Sequence, residues 1–143
     1  MDYIRKTSHA KYDLKYHIVW ICKYRYPVLQ GKIAHRVRAL VKLIASENEV
    51  AILAGSVSPR HIHLLVSVPP TLAPARLVQY LKGATSRKLQ QEFPELKKRY
   101  WGQHLWGRGY YIASSGNVTD DMIKKYIEHQ PDEDEQENFK ITK

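Results

Sequence analysis

The order in which hydrophobic periods change along this chain predicts an α+β domain, one antiparallel sheet carrying helices. Three observations carry that reading. A segment near the N-terminus alternates with period two and is apolar on both faces. Two later segments carry apolar stripes at helical spacing. A tight Ser58-Pro59-Arg60 turn separates two apolar runs. Side chains alternate faces along a strand and repeat about every 3.6 residues on a helix, so the two patterns are distinguishable.

The first strand is read over Tyr12 to Tyr24. Tyr16, Ile18, Trp20 and Cys22 share one face, and His17, Val19 and Ile21 the other. A strand apolar on both sides belongs mid-sheet. Pro27 stops it, because proline cannot donate to a ladder. A helix is predicted from Gly31 to Asn48, with Ile33, Val37, Leu40, Val41 and Ile44 on its buried stripe. Val50 to Val57 and His61 to Val68 read as a hairpin pair of strands. Pro74 opens a second helix running to about Glu92, where its missing N–H costs nothing. Phe93-Pro94 ends that helix, and an aromatic, basic, glycine-containing loop runs to Gly109. Tyr110 to Ser115 is a short fourth strand. Thr119 then N-caps a last helix, with Asp120 and Asp121 in its first turn, and Pro131 ends it. The order β-α-β-β-α-β-α matches, in its first six elements, the ferredoxin-like split βαβ. That topology makes the first and third strands the central pair and puts two helices on one face.

Length and charge narrow the class. A chain of 143 residues builds one compact domain and is too short for two ordinary ones. Residues 1–130 are read as that domain and 131–143 as an acidic tail. The chain carries +9 overall, and residues 1–130 hold 21 basic against 9 acidic residues, a net of +12. So strong a positive balance calls for a polyanionic partner. The single cysteine, Cys22, excludes an intrachain disulfide. No apolar run reaches the length of a membrane span, and the first fifteen residues are polar. A soluble cytoplasmic protein without a membrane partner is expected.

Chemistry concentrates in His61-Ile62-His63. On a strand the two imidazoles share a face while Ile62 turns into the core. An H-x-H by itself is common on ordinary strands. Here it is joined by Tyr126 and Gln130, which are i, i+4 on the last predicted helix and so share its face. Two imidazoles, an amide oxygen and a phenol in a basic chain point to metal-assisted phosphodiester chemistry with Tyr126 as nucleophile. Mg²⁺ or Mn²⁺ suits such a site, imidazole favouring Mn²⁺. The glycine loop of a nucleotide site is absent, so no nucleotide cofactor is expected. Tyr100, Trp101, Trp106, Tyr110 and Tyr111 are candidates to stack unpaired bases, against the ordinary alternative that large aromatics pack a core. His9, His17, His35, His104 and His129 are read as ordinary surface or core histidines.

With these residues in place, the sequence resembles the single-tyrosine HUH transposases of the smallest bacterial insertion sequences. The resemblance runs from about Tyr16 to Gln130. It rests on Tyr16-His17-Ile18-Val19-Trp20, Lys23-Tyr24-Arg25, His61-Ile62-His63-Leu64-Leu65-Val66, Leu81-Lys82-Gly83 with Ser86, Phe93-Pro94-Glu95-Leu96, Trp106, Asn117-Val118-Thr119, and Tyr126-Ile127 with Gln130. It implies a homodimer that cleaves and rejoins single-stranded DNA with hairpin ends through a 5′-phosphotyrosine. It implies metal ligation by His61, His63 and Gln130, with Tyr126 as the nucleophile, in some relatives serving the partner subunit's histidines. Lys23, Arg25, Arg60, Lys82, Arg87, Lys88, Trp106 and Arg108 are then the candidate DNA contacts. One departure stands out: Arg60 precedes the first histidine where the family usually carries an acid.

Three other readings compete. A domesticated relative or a replication-initiator nuclease would use the same residues on other palindromic DNA. A non-catalytic RNA-binding module is the rival from another class, since ferredoxin-like sheets also bind RNA. The aromatic RNA-binding motif of such modules is missing from the central strands, and the histidine pair occupies their place.

Overall fold

The computed structural model describes residues 4–114 and Lys125. A two-stranded ribbon, β1 (Arg5–Lys6) with β2 (Lys11–Tyr12), precedes the main sheet. Then follow β3 (Lys15–Ile21), α1 (Gly31–Glu47), β4 (Ala51–Ser58), β5 (His61–Ser67), α2 (Pro74–Glu92), α3 (Pro94–Arg99) and β6 (Tyr111–Ser114). The sheet order is β4-β5-β3-β6, with every neighbouring pair antiparallel. This is the expected topology, with β3 and β5 at its centre. Among the described residues no helix is long and apolar enough to cross a membrane.

The two faces of the sheet differ as the alternation requires. Ile18, Trp20, Ile62, Leu64 and Val66 point to the helical side and join one buried cluster with Val37, Leu40, Val41 and Ile44 of α1 and Leu77, Leu81 and Leu89 of α2. Each fully buried side chain of this size contributes about 1.5–3 kcal/mol. The opposite face carries His17, Val19 and Ile21 from β3, His61, His63 and Leu65 from β5, and Tyr111 and Ala113 from β6.

Three local departures from the sequence reading have physical causes. The first strand begins at Lys15 and not at Tyr12, because residues 11 and 12 leave the sheet to pair with residues 5 and 6. Arg5 holds that ribbon in place. Its guanidinium donates to the Ser67 carbonyl at 3.0 Å and the Glu49 carbonyl at 2.7 Å, and lies over the Tyr12 ring. At its far end β3 stops at Ile21, and Cys22 makes one further bridge to Trp106. Lys23–Arg25 then form a 3₁₀ turn in which Tyr24 and Arg25 both have positive φ, 61° and 54°. That region costs a residue with a Cβ about 1–2 kcal/mol. The turn is held by the Lys23 N–H donating to the Leu105 carbonyl at 2.8 Å and by the Tyr24, Tyr26 and Tyr100 rings packed in series.

The third departure is α3, where a loop was expected. Pro94 opens it, Glu95 lies in its first turn, and Lys97, Lys98 and Arg99 occupy its last, all favourable for the helix dipole. Only Leu96 anchors it in the core, so no apolar period announced it. Beyond it Leu105 and Trp106 turn inward. The Trp106 indole meets Trp20 edge-on, 5.8 Å between centroids, and its Nε1–H donates to Thr85 Oγ1 at 2.9 Å. The Leu105 N–H donates to Ser86 Oγ at 3.1 Å. Those two hydroxyls of α2 seat the strap that leads into β6.

Thr85 is fully buried, so Thr85→Val keeps the shape and removes the acceptor of the indole N–H. An unsatisfied buried donor costs about 1–3 kcal/mol, and urea unfolding of this variant should show a loss in that range. An unchanged midpoint would mean that the indole finds another acceptor.

Candidate active site

His61 and His63 open β5 directly after the Pro59-Arg60 turn. Ile62 between them is fully buried on the helical side, so both imidazoles must emerge on the other face, each about half-buried. Opposite them in β3 lie Ile21, paired with His61, and Val19, paired with His63; both are buried. On the other flank the paired residues are Ser58 and Ser56 of β4. The two rings therefore stand beside buried apolar side chains of the central strand on the same face.

Three features set the electrostatics. The His61 pKa lies below the ordinary imidazole value, first because burial disfavours the cation, then because a charge on His61 would be repelled by His63 whenever that ring is protonated, and by Arg25. His61 is thus held neutral near pH 7, the form that can donate a lone pair to a metal. Arg25 reaches this site electrostatically because the 3₁₀ turn after β3 brings it to the His61 end of the sheet. His63 is engaged from β3: His17 Nδ1 lies 3.1 Å from His63 Nε2, with the rings 29° apart in plane.

The residue set fits a divalent metal in part. Two same-face imidazoles, one of them kept neutral, are sound borderline donors. Among the described residues no group of three His, Cys, Asp or Glu side chains assembles a complete metal cluster. Gln130, expected to complete the set, Tyr126, the expected nucleophile, and Thr119, the expected helix cap, lie outside the described residues. Arg60 is exposed, and its carbonyl accepts the Cys22 N–H at 2.9 Å, so that backbone bond closes the turn beside His61.

The candidate DNA contacts separate into groups. Arg60, Arg87, Lys88 and Arg108 are exposed. Lys23 has its ammonium over the Tyr24 ring, and Arg25 is half-buried by the histidines. Lys82 is otherwise occupied: its Nζ donates to the carbonyls of Gly107 and Gly109, both at 2.8 Å, and burial pushes its pKa down to about 8. It pins the glycine turn before β6. Trp106 is a correction. At 4% exposure, packed at right angles to Trp20 and with its N–H used, it belongs to the core and only borders the groove beside α2. Tyr100 and Tyr111 are buried too, whereas Trp101 is 87% exposed and Tyr110 half-buried. A groove of about 710 Å³ runs between α2 and residues 103–110, lined by Lys23, Gln79, Lys82, His104, Arg108 and Tyr110.

His17 is the neighbour that sequence reasoning passed over. Its one visible signal was the shared face with Val19 and Ile21 on the strand expected beside the histidine pair. The register that puts it against His63 was needed to make use of that signal.

Residues 10–130 match the family model described as "Transposase IS200 like". The ISDra2 transposase TnpA of Deinococcus radiodurans is 38% identical over 131 residues, covering 92% of this chain and 94% of that protein. The transposase for insertion sequence element IS200 of Salmonella typhimurium is 34% identical over 130 residues, 91% of this chain and 85% of that protein. A crystal structure of a candidate transposase from Deinococcus radiodurans R1 superposes with a TM-score of 0.81 at 34% identity, over 88% of this chain and 97% of that one. A tyrosine transposase bound to a REP hairpin shares the fold at TM-score 0.53 and 14% identity, over 87% of this chain and 68% of that one.

The His61 shift makes stability depend on pH. In the unfolded chain the imidazole protonates near 6.5. In the folded chain it resists to a lower pH, so below 6.5 the unfolded state binds more protons. Stability of the metal-free protein should therefore be level above that value and fall as pH drops through the folded pKa. His61→Asn should flatten this part of the profile, read by chemical denaturation at successive pH values; an unaltered slope would assign the acid lability to other groups.

Proposed function

This chain belongs to the IS200-like transposase family, and from that premise we propose that it cuts and rejoins single-stranded DNA at insertion-sequence ends through a covalent tyrosine intermediate. The observation that carries the reading is the imidazole pair standing outward from the central strand, one ring held neutral by its surroundings. In this reading His61, His63 and Gln130 hold Mg²⁺ or Mn²⁺. The ion supplies Lewis-acid stabilisation of charge on a scissile phosphate oxygen.

The chain's own residues then divide the work. The Tyr126 phenol loses its proton to solvent and its oxygen attacks phosphorus. A P–O bond forms as the P–O3′ bond breaks, and the departing 3′-oxygen takes up a proton. The 5′-phosphotyrosine conserves the energy of the broken linkage, so rejoining needs no nucleotide cofactor. Val19 and Ile21, the buried cross-strand partners of the histidines on the same face, keep water from that flank, which strengthens electrostatic interactions at the imidazoles. Arg25, whose charge already acts on His61, and Arg60 beside it suit the phosphates flanking the scissile one. Strand exchange needs two cleaved ends held together, and one tyrosine per chain holds one end, so the working unit is a homodimer. Hairpin ends are the proposed recognition feature, and the exposed Trp101 is the aromatic available to stack an unpaired base.

Tyr126→Phe removes only the nucleophilic oxygen. With single-stranded element ends and Mn²⁺, the native protein should give a denaturant-resistant protein–DNA adduct, and this variant should bind the DNA and give none. An adduct that persists in Tyr126→Phe would move the nucleophile to another tyrosine and overturn the assignment. Binding itself should weaken by about 10²-fold between 50 and 200 mM salt if about five phosphates are contacted. Salt-titrated fluorescence anisotropy reads this directly, and a flat response would remove the basic body from DNA recognition.

A further inference from the structure

We propose that His17 is a positioning residue of the metal site, fixing the tautomer and orientation of His63 across the central strand pair. The proposal rests on the metal reading above and assigns a role to a histidine outside the ligand set. In the β3–β5 register, Val19 pairs with His63 and His17 with Leu65. His17 is therefore the diagonal same-face neighbour of His63, close enough for long side chains to touch. The contact is specific: Nδ1 to Nε2 at 3.1 Å, ring centroids 5.4 Å apart and planes inclined by 29°.

Two ring nitrogens at that distance share one proton. Two bare lone pairs would repel, and two N–H groups would clash. One histidine is the donor and the other the acceptor. When His63 donates its Nε2–H to His17 Nδ1, the His63 lone pair resides on Nδ1, and that atom becomes the metal donor. A ligating imidazole that donates its second N–H to a fixed acceptor has its ring orientation set before the ion arrives, and its basicity is raised. The β3–β5 ladder pairs seven residues of each strand, from Lys15 with Ser67 to Ile21 with His61, so the acceptor is carried on rigid backbone. Both rings are half-buried, so water competes less for this bond than it would on an open surface.

The test uses the full-length protein stripped with chelator and titrated with Mn²⁺, free ion being read by electron paramagnetic resonance. His61→Ala and His63→Ala first establish that the site binds the ion. His17→Phe keeps a ring and removes both nitrogens; affinity should fall about 10–100-fold, the usual consequence of losing an outer partner. His17→Asn returns a polar atom near the Nδ1 position and should recover most of that loss. Melting temperatures of the metal-free variants report the fold separately. Wild-type affinity in His17→Phe, or equal weakness in the Phe and Asn variants, overturns the proposal. If His17→Phe does not fold, ¹⁵N spectra of the histidine rings in the native apo protein decide. A protonated Nε2 on His63 with a bare Nδ1 on His17 is expected, and the reverse assignment refutes it. Should the native protein bind no Mn²⁺ that His61→Ala or His63→Ala removes, the metal reading fails and the positioning role fails with it. An intact metal site with an indifferent His17 sinks the positioning role alone.

Discussion

Burial of Ile62 against the helices decides where the chemistry of this protein can stand. Its side chain is fully enclosed on the helical side of β5, and the strand pleat then sends His61 and His63 the other way. A slip of one residue in the β3–β5 register would drive both imidazoles into the core and expose Ile62, Leu64 and Val66. The hydrophobic energy that fixes the register is the same energy that presents the histidines. Trp20 and Ile18 in β3 repeat the constraint from the neighbouring strand, so the site face and the core are two sides of one ladder.

The strained turn after β3 extends that logic. Tyr24 and Arg25 hold left-handed backbone that neither residue type favours. The Leu105 carbonyl, the bridge between Cys22 and Trp106 and the packed tyrosines hold it there. What the turn delivers is a guanidinium whose field reaches His61. Strain of this kind persists where surrounding structure over-determines it, and such places are often functional sites. Arg99 stacked on Tyr26 at 4.2 Å ties the turn to α3, so a short helix distant in sequence supports the edge of the histidine site.

Aromatic residues serve the scaffold more than their positions suggested. Trp106, Tyr100 and Tyr111 are buried, and the Trp106 N–H and the Leu105 amide both end on hydroxyls of α2. Lys82 likewise spends its ammonium on two glycine carbonyls. These groups give the strap between α3 and β6 a defined path, and with it the strand that flanks β3. The surface basic charge is left to residues such as Arg60, Arg87, Lys88 and Arg108.

The sequence alone determined the alternation of β3 and β5, the two long helices, the split βαβ order and the shared face of His61 and His63. Each of these is a local period, written by which residues prefer water and which do not. It also marked the resemblance to the IS200-like transposases, through ordered short motifs along most of the chain. Tertiary structure alone decided that residues 11 and 12 peel away to Arg5, that α3 forms on a single buried leucine, and that Trp106 belongs to the core. It alone brought His17 to His63, 46 residues away. Periodicity tells which face a side chain takes, but the partner across the ladder depends on how two distant strands are held in register by the packing of everything behind them.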